Sequence, residues 1–92
     1  MMALDVEFDP GKAAANLRKH GVGSAEAATS LIDPSALTLA DASEGEFRWN
    51  SLGVSDRGRL LVVCYTVRGD TLRLISARKA TSRERFAYAR RV

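Results

Sequence analysis

One cysteine, Cys64, and one histidine, His20, are all the chain has of either residue, and that scarcity removes several familiar chemistries. A lone thiol cannot close an intrachain disulfide, which excludes the disulfide-stapled secreted miniprotein and fits a reducing compartment. One Cys and one His cannot build a tetrahedral zinc site, and neither a His-x-x-x-His nor an EF-hand spacing occurs, so no metal or other cofactor is expected. The seven glycines are scattered, with no G-x-G-x-x-G after a strand and no Gly-Lys-Ser/Thr loop, which sets aside nucleotide binding by those routes. A Ser-His-Asp or Cys-His arrangement would have to use His20, which closes the apolar stripe of a helix, where capping the last carbonyls or filling the core edge is the ordinary role. Long hydrophobic runs are missing too. The longest, Leu60 to Val67, includes Cys, Tyr and Thr and is far short of the roughly 20 residues that cross a membrane, and Met1 to Glu7 lack a basic, apolar signal pattern. The expectation is a soluble cytoplasmic protein without membrane contact.

Cations are scarce in the first half and abundant in the second. Residues 1–47 hold three cations against eight acids, a balance of −5, whereas residues 48–92 hold eleven cations against three acids, a balance of +8, which together give the net charge of +3. Ten of those eleven cations are arginine, Lys79 being the exception. Arginine's rigid five-donor fork suits phosphate better than a lysine that merely solubilises. The leading inference is a nucleic acid or an acidic protein partner, set against a solvated basic face without one. At 92 residues, 46% of them hydrophobic, the chain is too apolar for intrinsic disorder and is expected to form one domain over 1–92.

Residues 6–8 read as a short strand. Asp9-Pro10 then supplies an N-cap and a first-turn proline, and Gly21 a C-cap, for a helix over 10–20 with Ala13, Leu17 and His20 on one stripe and Lys12, Asn16 and Lys19 on the opposite one. Ser24 is placed to cap a short second helix with Ala28, Leu31 and Ile32 inward, stopped by Asp33-Pro34. From residue 36 the period changes to two, through Leu37 and Leu39 and then Phe47, Trp49 and Ser51, as antiparallel strands require. Strands at 60–67 and 72–77 flank Arg68-Gly69-Asp70-Thr71, a hairpin with a two-residue loop. That loop predicts Arg68 opposite Thr71, Thr66 opposite Arg73 and Cys64 opposite Ile75, with Tyr65 on the greasy side among core residues. Thr81-Ser82-Arg83-Glu84 is a capping box that opens a C-terminal helix. The fold class is α+β, a small antiparallel sheet of about four strands packed with two N-terminal helices and one C-terminal helix.

RNA can be cut without metal by its own 2′-hydroxyl, given a base, cations to hold the charge developing on the phosphate, and a proton for the leaving 5′-oxygen. Arg48, Arg68 and Arg73 are the candidate cations. Glu46, two residues before Arg48 and on the same strand face, is the candidate base; the plainer role is an exposed carboxylate paired with Arg48 or Arg73. Arg78 and Lys79, at the junction between strand and helix, are candidate phosphate contacts, although Arg78 can equally bind Glu84 or pack across the helix. Tyr88 is a candidate acid or base against bound RNA.

With these residues in hand, the chain resembles the BrnT family of ribonuclease toxins of bacterial type II toxin-antitoxin systems, whose fold is distantly RelE-like. The resemblance runs almost end to end: Val6-Glu7-Phe8-Asp9-Pro10, Lys12-Ala13, Asn16, Lys19-His20-Gly21-Val22, Asp33-Pro34, Glu46, Arg48, Leu52-Gly53, Ser55, Gly58 to Val63, Tyr65-Thr66, Arg68, Leu72 to Thr81, Glu84-Arg85 and Tyr88. It implies a toxin that cleaves RNA and shuts down translation, is neutralised by a BrnA-like antitoxin, and meets operator DNA only through that antitoxin. Three departures stand out. Family members usually carry a histidine in an Asp-x-His-Ser-like segment where this chain has Ala42; the second glutamate of the following motif is Phe47; and Gly23 replaces the serine after His-Gly-Val. They define an alternative, a catalytically degenerate toxin acting as an antitoxin-binding module and operon co-repressor.

Overall fold

The computed structural model describes residues 5–41 and 47–91. Its elements are β1 (Asp5–Phe8), α1 (Pro10–His20), α2 (Ser24–Ser30), β2 (Leu37–Asp41), β3 (Arg48–Val54), β4 (Leu60–Arg68), β5 (Thr71–Lys79) and α3 (Ser82–Arg91). The strands form one sheet in the order β1-β5-β4-β3-β2. The α+β class and the order of elements are as expected, with one addition: β1 joins the sheet as a fifth strand, parallel to β5, so the sheet is mixed rather than wholly antiparallel.

α1 has the predicted bounds because both signals operate. Asp9 accepts a hydrogen bond from the Lys12 amide at 2.9 Å, Pro10 opens the first turn, and Gly21 takes the left-handed conformation at φ 70°, which a side chain would strain. The predicted stripes are not the observed ones. Leu17 is half exposed to solvent, while Asn16 turns toward the sheet. Beyond Phe8 there is no β1 to pair with β5, and the Asn16 carboxamide takes its place: it donates to the Ala77 carbonyl at 2.9 Å and accepts from the Ala77 amide at 3.1 Å, with a further bond to the Val22 carbonyl. A polar residue on the inward face is thereby satisfied in full.

α2 ends at Ser30, and its N-cap is Gly23 rather than Ser24. Ala27 and Ser30 face inward instead of Ala28 and Ile32; Ile32 is 69% exposed. The close approach of α2 to β3 depends on Gly53, where a Cβ would collide with the Ser30 carbonyl oxygen. Val22, Ala27, Leu61, Val63 and Ala77 form the core between the two N-terminal helices and one face of the sheet.

The hairpin loop is as predicted, with Arg68 opposite Thr71, Thr66 opposite Arg73, and Gly69 at φ 60°. The Cys64–Ile75 pairing is corrected. Tyr65 stands opposite Leu74 but Cys64 stands opposite Ser76, so Ile75 is the extra residue of a β-bulge. A bulge shifts the side-chain alternation by one residue. It carries Ala77 to the core face and Arg78 to the same face as Arg73.

Candidate active site

The face of the sheet turned away from α1 and α2 is built in rows by the strand register. Asp41 stands opposite Arg48, Thr66 opposite Arg73, and Arg73 opposite Glu7. Arg48 immediately precedes Trp49, the partner of Tyr65, so its place in the row is beside Thr66. One row therefore crosses all five strands as Asp41, Arg48, Thr66, Arg73 and Glu7. Two guanidinium groups flank a hydroxyl on strands two apart, roughly 10 Å between backbones, with a carboxylate at each outer end. The next row adds Arg68, Thr71 and Asp5, the Thr71 hydroxyl donating to Asp5 at 2.9 Å. The preceding row holds Leu39, Asn50, Cys64 and Ser76, and the one before it Leu37, Leu52, Val62 and Arg78. α3 covers these last rows.

The structure thus brings Arg48, Arg68 and Arg73 onto one face. Arg73 is bound to Glu7 at 3.1 Å, but both side chains are well exposed, and such a pair is weak enough for an incoming phosphate to displace. Thr66 is only 5% exposed, so the guanidinium groups on either side, rather than its hydroxyl, are what meets an incoming phosphate. Cys64 adjoins this row. Burial pushes its thiol up, Asp41 adding to the rise and Arg48 opposing it, so it stays protonated at neutral pH rather than serving as a nucleophile.

The other predicted residues fall elsewhere. Glu46 lies outside the described residues, as does Ala42. Arg78 shares the arginine face but holds Glu84 through two bonds of 2.8 and 2.9 Å, an arrangement that keeps the Glu84 carboxyl down at about 2. Glu84 closes the predicted capping box by accepting from the Thr81 amide at 2.8 Å. Lys79 stands opposite Leu61 on the other side of the sheet and is not brought to the row. The Tyr88 hydroxyl donates to Asp33 at 2.5 Å, and that bond pushes its pKa up. Burial opposes the charge on Asp33, yet the bonds from Tyr88, Val54 and Ser35 hold its carboxyl below the ordinary value. Arg78 and Tyr88 thus anchor α3 at two points. His20 closes α1, which packs against the opposite face.

Thr66, Asp41 and Glu7 escaped the reading of the sequence as site residues, although parity along the strands was the signal that could have found them. A second charged cluster escaped it as well. Glu26, at the start of α2, binds the Arg59 guanidinium through both oxygens and accepts from Ser55 Oγ at 2.7 Å, while Arg59 also donates to the Gly21 carbonyl at 3.0 Å. The Arg59 bonds outweigh burial and hold Glu26 at about 2. This cluster ties α1, α2 and the β3–β4 turn together on the side of the helices.

The model of the BrnT ribonuclease toxins of type II toxin-antitoxin systems matches residues 8–84. The chain belongs to the BrnT family. Its fold is similar to that of the ribonuclease toxin BrnT of Brucella abortus, solved by crystallography at 1.1 Å, with a TM-score of 0.69 and 23% identity over 87% of this chain and all of that one. No curated protein sequence matches the chain. As a BrnT-family chain it is a type II toxin by class, a class defined by pairing with an antitoxin.

Proposed function

We propose that this BrnT-family chain is a metal-independent endoribonuclease that cuts single-stranded RNA in the cytoplasm and so inhibits translation, neutralised by a BrnA-like antitoxin through which alone it reaches operator DNA. The observation that supports this most directly is the row of Arg48, Thr66 and Arg73 on the sheet face opposite α1 and α2, with Arg68 beside it. The 2′-hydroxyl attacks the adjacent phosphorus, the P–O5′ bond breaks, and the products are a 2′,3′-cyclic phosphate and a free 5′-hydroxyl. Arg48 and Arg73 clamp the non-bridging oxygens, where charge builds in the transition state, and Arg68 holds the neighbouring phosphate. Glu46 takes the proton of the 2′-hydroxyl, and a proton passes from water to the departing 5′-oxygen, so that Glu46 returns its own to solvent and the balance closes.

The test is cleavage of single-stranded RNA by purified protein in EDTA, with end-group analysis of the fragments. Cyclic phosphate ends formed in EDTA are the expected result; activity that requires added Mg²⁺ or Mn²⁺ would overturn the proposed chemistry. A second reading, a degenerate toxin that binds its antitoxin and assists operator binding, is favoured by one feature: Ala42 replaces the family histidine, and His20 lies with α1 against the opposite face. Absence of cleavage together with tighter operator binding by the complex than by antitoxin alone would establish it.

A further inference from the structure

One cavity adjoins the arginine row without belonging to it. It encloses about 200 Å³ between α3 and the strands β2, β3 and β4, walled by Leu37, Leu39, Leu52, Val62 and Ala87. Its only uncharged polar wall is Asn50, whose carboxamide makes no hydrogen bond with any described residue. Half-buried, the carboxamide is left to pair with solvent or with a ligand that enters the cavity. Arg83 stands at the mouth, and no ion pair with a described residue holds its guanidinium. Asn50 lies two residues from Arg48 on the same strand face, about 7 Å along β3, a spacing comparable to the reach from a nucleotide's phosphate to its base.

We propose that this cavity is a nucleobase pocket that takes adenine from the nucleotide whose phosphate lies on the arginine row. For its substrate class the proposal rests on the ribonuclease reading. Single-stranded RNA is recognised through bases splayed out of the stack and read on their edges. The Asn50 carboxamide offers one donor and one acceptor side by side, complementary to the N6 amino group and N7 of adenine, while the leucine and valine walls take the apolar faces of the ring. Arg83 covers the base from the mouth by stacking its guanidinium plane on it. The apolar walls favour the larger purine over a pyrimidine by the area they remove from water.

Titrating the ¹⁵N-labelled protein with AMP, UMP and ribose 5-phosphate tests the pocket without requiring cleavage. AMP should bind about tenfold or more tightly than ribose 5-phosphate and should move the amide signals of Asn50, Leu52 and Val62. Asn50→Leu should remove the advantage of AMP over UMP while leaving ribose 5-phosphate binding unchanged. Equal affinity for AMP and ribose 5-phosphate overturns the pocket, as does an unchanged preference in Asn50→Leu. Should that variant not fold, Val62→Phe decides the matter by filling the cavity: loss of the AMP advantage supports the pocket and its persistence overturns it. Cleavage of RNA in a parallel assay separates the two claims. Adenine-selective binding without cleavage retains the pocket and removes the ribonuclease, whereas cleavage without adenine preference does the reverse.

Discussion

Arg48 and Arg73 sit on adjoining sides of one buried threonine, and that placement makes their individual contributions measurable. Changing either to alanine should lower the single-turnover cleavage rate about ten- to a thousandfold while the melting temperature stays nearly constant, since neither belongs to the core. Arg→Lys should restore only part of the rate, because a point charge replaces a planar fork. Unfolding of both alanine variants would assign these arginines to the structure rather than to the chemistry. Glu26 is the opposite kind of residue, charged but remote from the arginine row. Its folded pKa of about 2 lies below the ordinary 4.5, so the stability it adds is complete above about pH 4.5 and is lost as the pH falls toward 2. Glu84, also held at about 2 by Arg78, acts in the same window. Glu26→Gln should lower the melting temperature at pH 7 by several degrees, about 4–8 °C for each kcal/mol lost in a chain of this size. The gap from the wild type should narrow in thermal scans taken between pH 4.5 and 2; a constant gap would remove the carboxylate charge as its cause.

At the scale of elements, local signals were legible and long-range ones were not. α1 could be bounded from Asp9-Pro10 and Gly21 because caps are chemistry of a few adjacent residues, and the hairpin loop could be placed because Gly69 fits a backbone conformation that few residues tolerate. The Ile75 bulge left no mark in the alternation of Leu72 to Ala77, so the side on which Arg78 emerges was hidden, while the arginines before the bulge were placed correctly. Asn16 lies in the sequence on the stripe opposite Ala13, Leu17 and His20, where polarity ordinarily means exposure; what turns it inward is the unpaired stretch of β5, a fact of topology 61 residues away. This assignment can be tested directly. Asn16→Ala leaves the Ala77 amide and carbonyl without their partner and should cost about 2 kcal/mol in chemical denaturation, with faster hydrogen exchange at the Ala77 amide. Unchanged exchange there would mean that water replaces the side chain at no cost.

Over the whole molecule, arginines from three strands are gathered on one side of the sheet. α1 and α2 pack against one face of the sheet, and Arg48, Arg68, Arg73 and Arg78 lie on the other, beside Asp5, Glu7 and Asp41 at its outer strands. A flexible anionic chain approaching that second face meets Arg68, Arg73 and Arg48 together, so a single strand of RNA should bind with a salt dependence set by the number of phosphates neutralised. For single strands the slope of log affinity against log salt is about −0.7 for each phosphate contact, so Arg68→Ala should reduce its magnitude by about 0.7 and weaken all sequences alike, as expected of a residue that touches backbone phosphate rather than base. The antitoxin must contend with the same field. An acidic segment laid over the arginine face would exclude RNA by occupying its phosphate sites, so cleavage should stop in the saturated complex and return as salt rises and the screening length falls from about 10 Å at 0.1 M to about 3 Å at 1 M. The two effects oppose each other, because salt also weakens the hold on RNA; the informative quantity is therefore antitoxin affinity measured directly across the salt series, with Arg68→Ala alongside. A shared arginine face requires that this variant lose salt sensitivity toward both RNA and antitoxin. If the antitoxin's affinity were indifferent to salt and to Arg68 while RNA binding responded to both, neutralisation would have to proceed from another surface, and the arginine face would serve RNA alone.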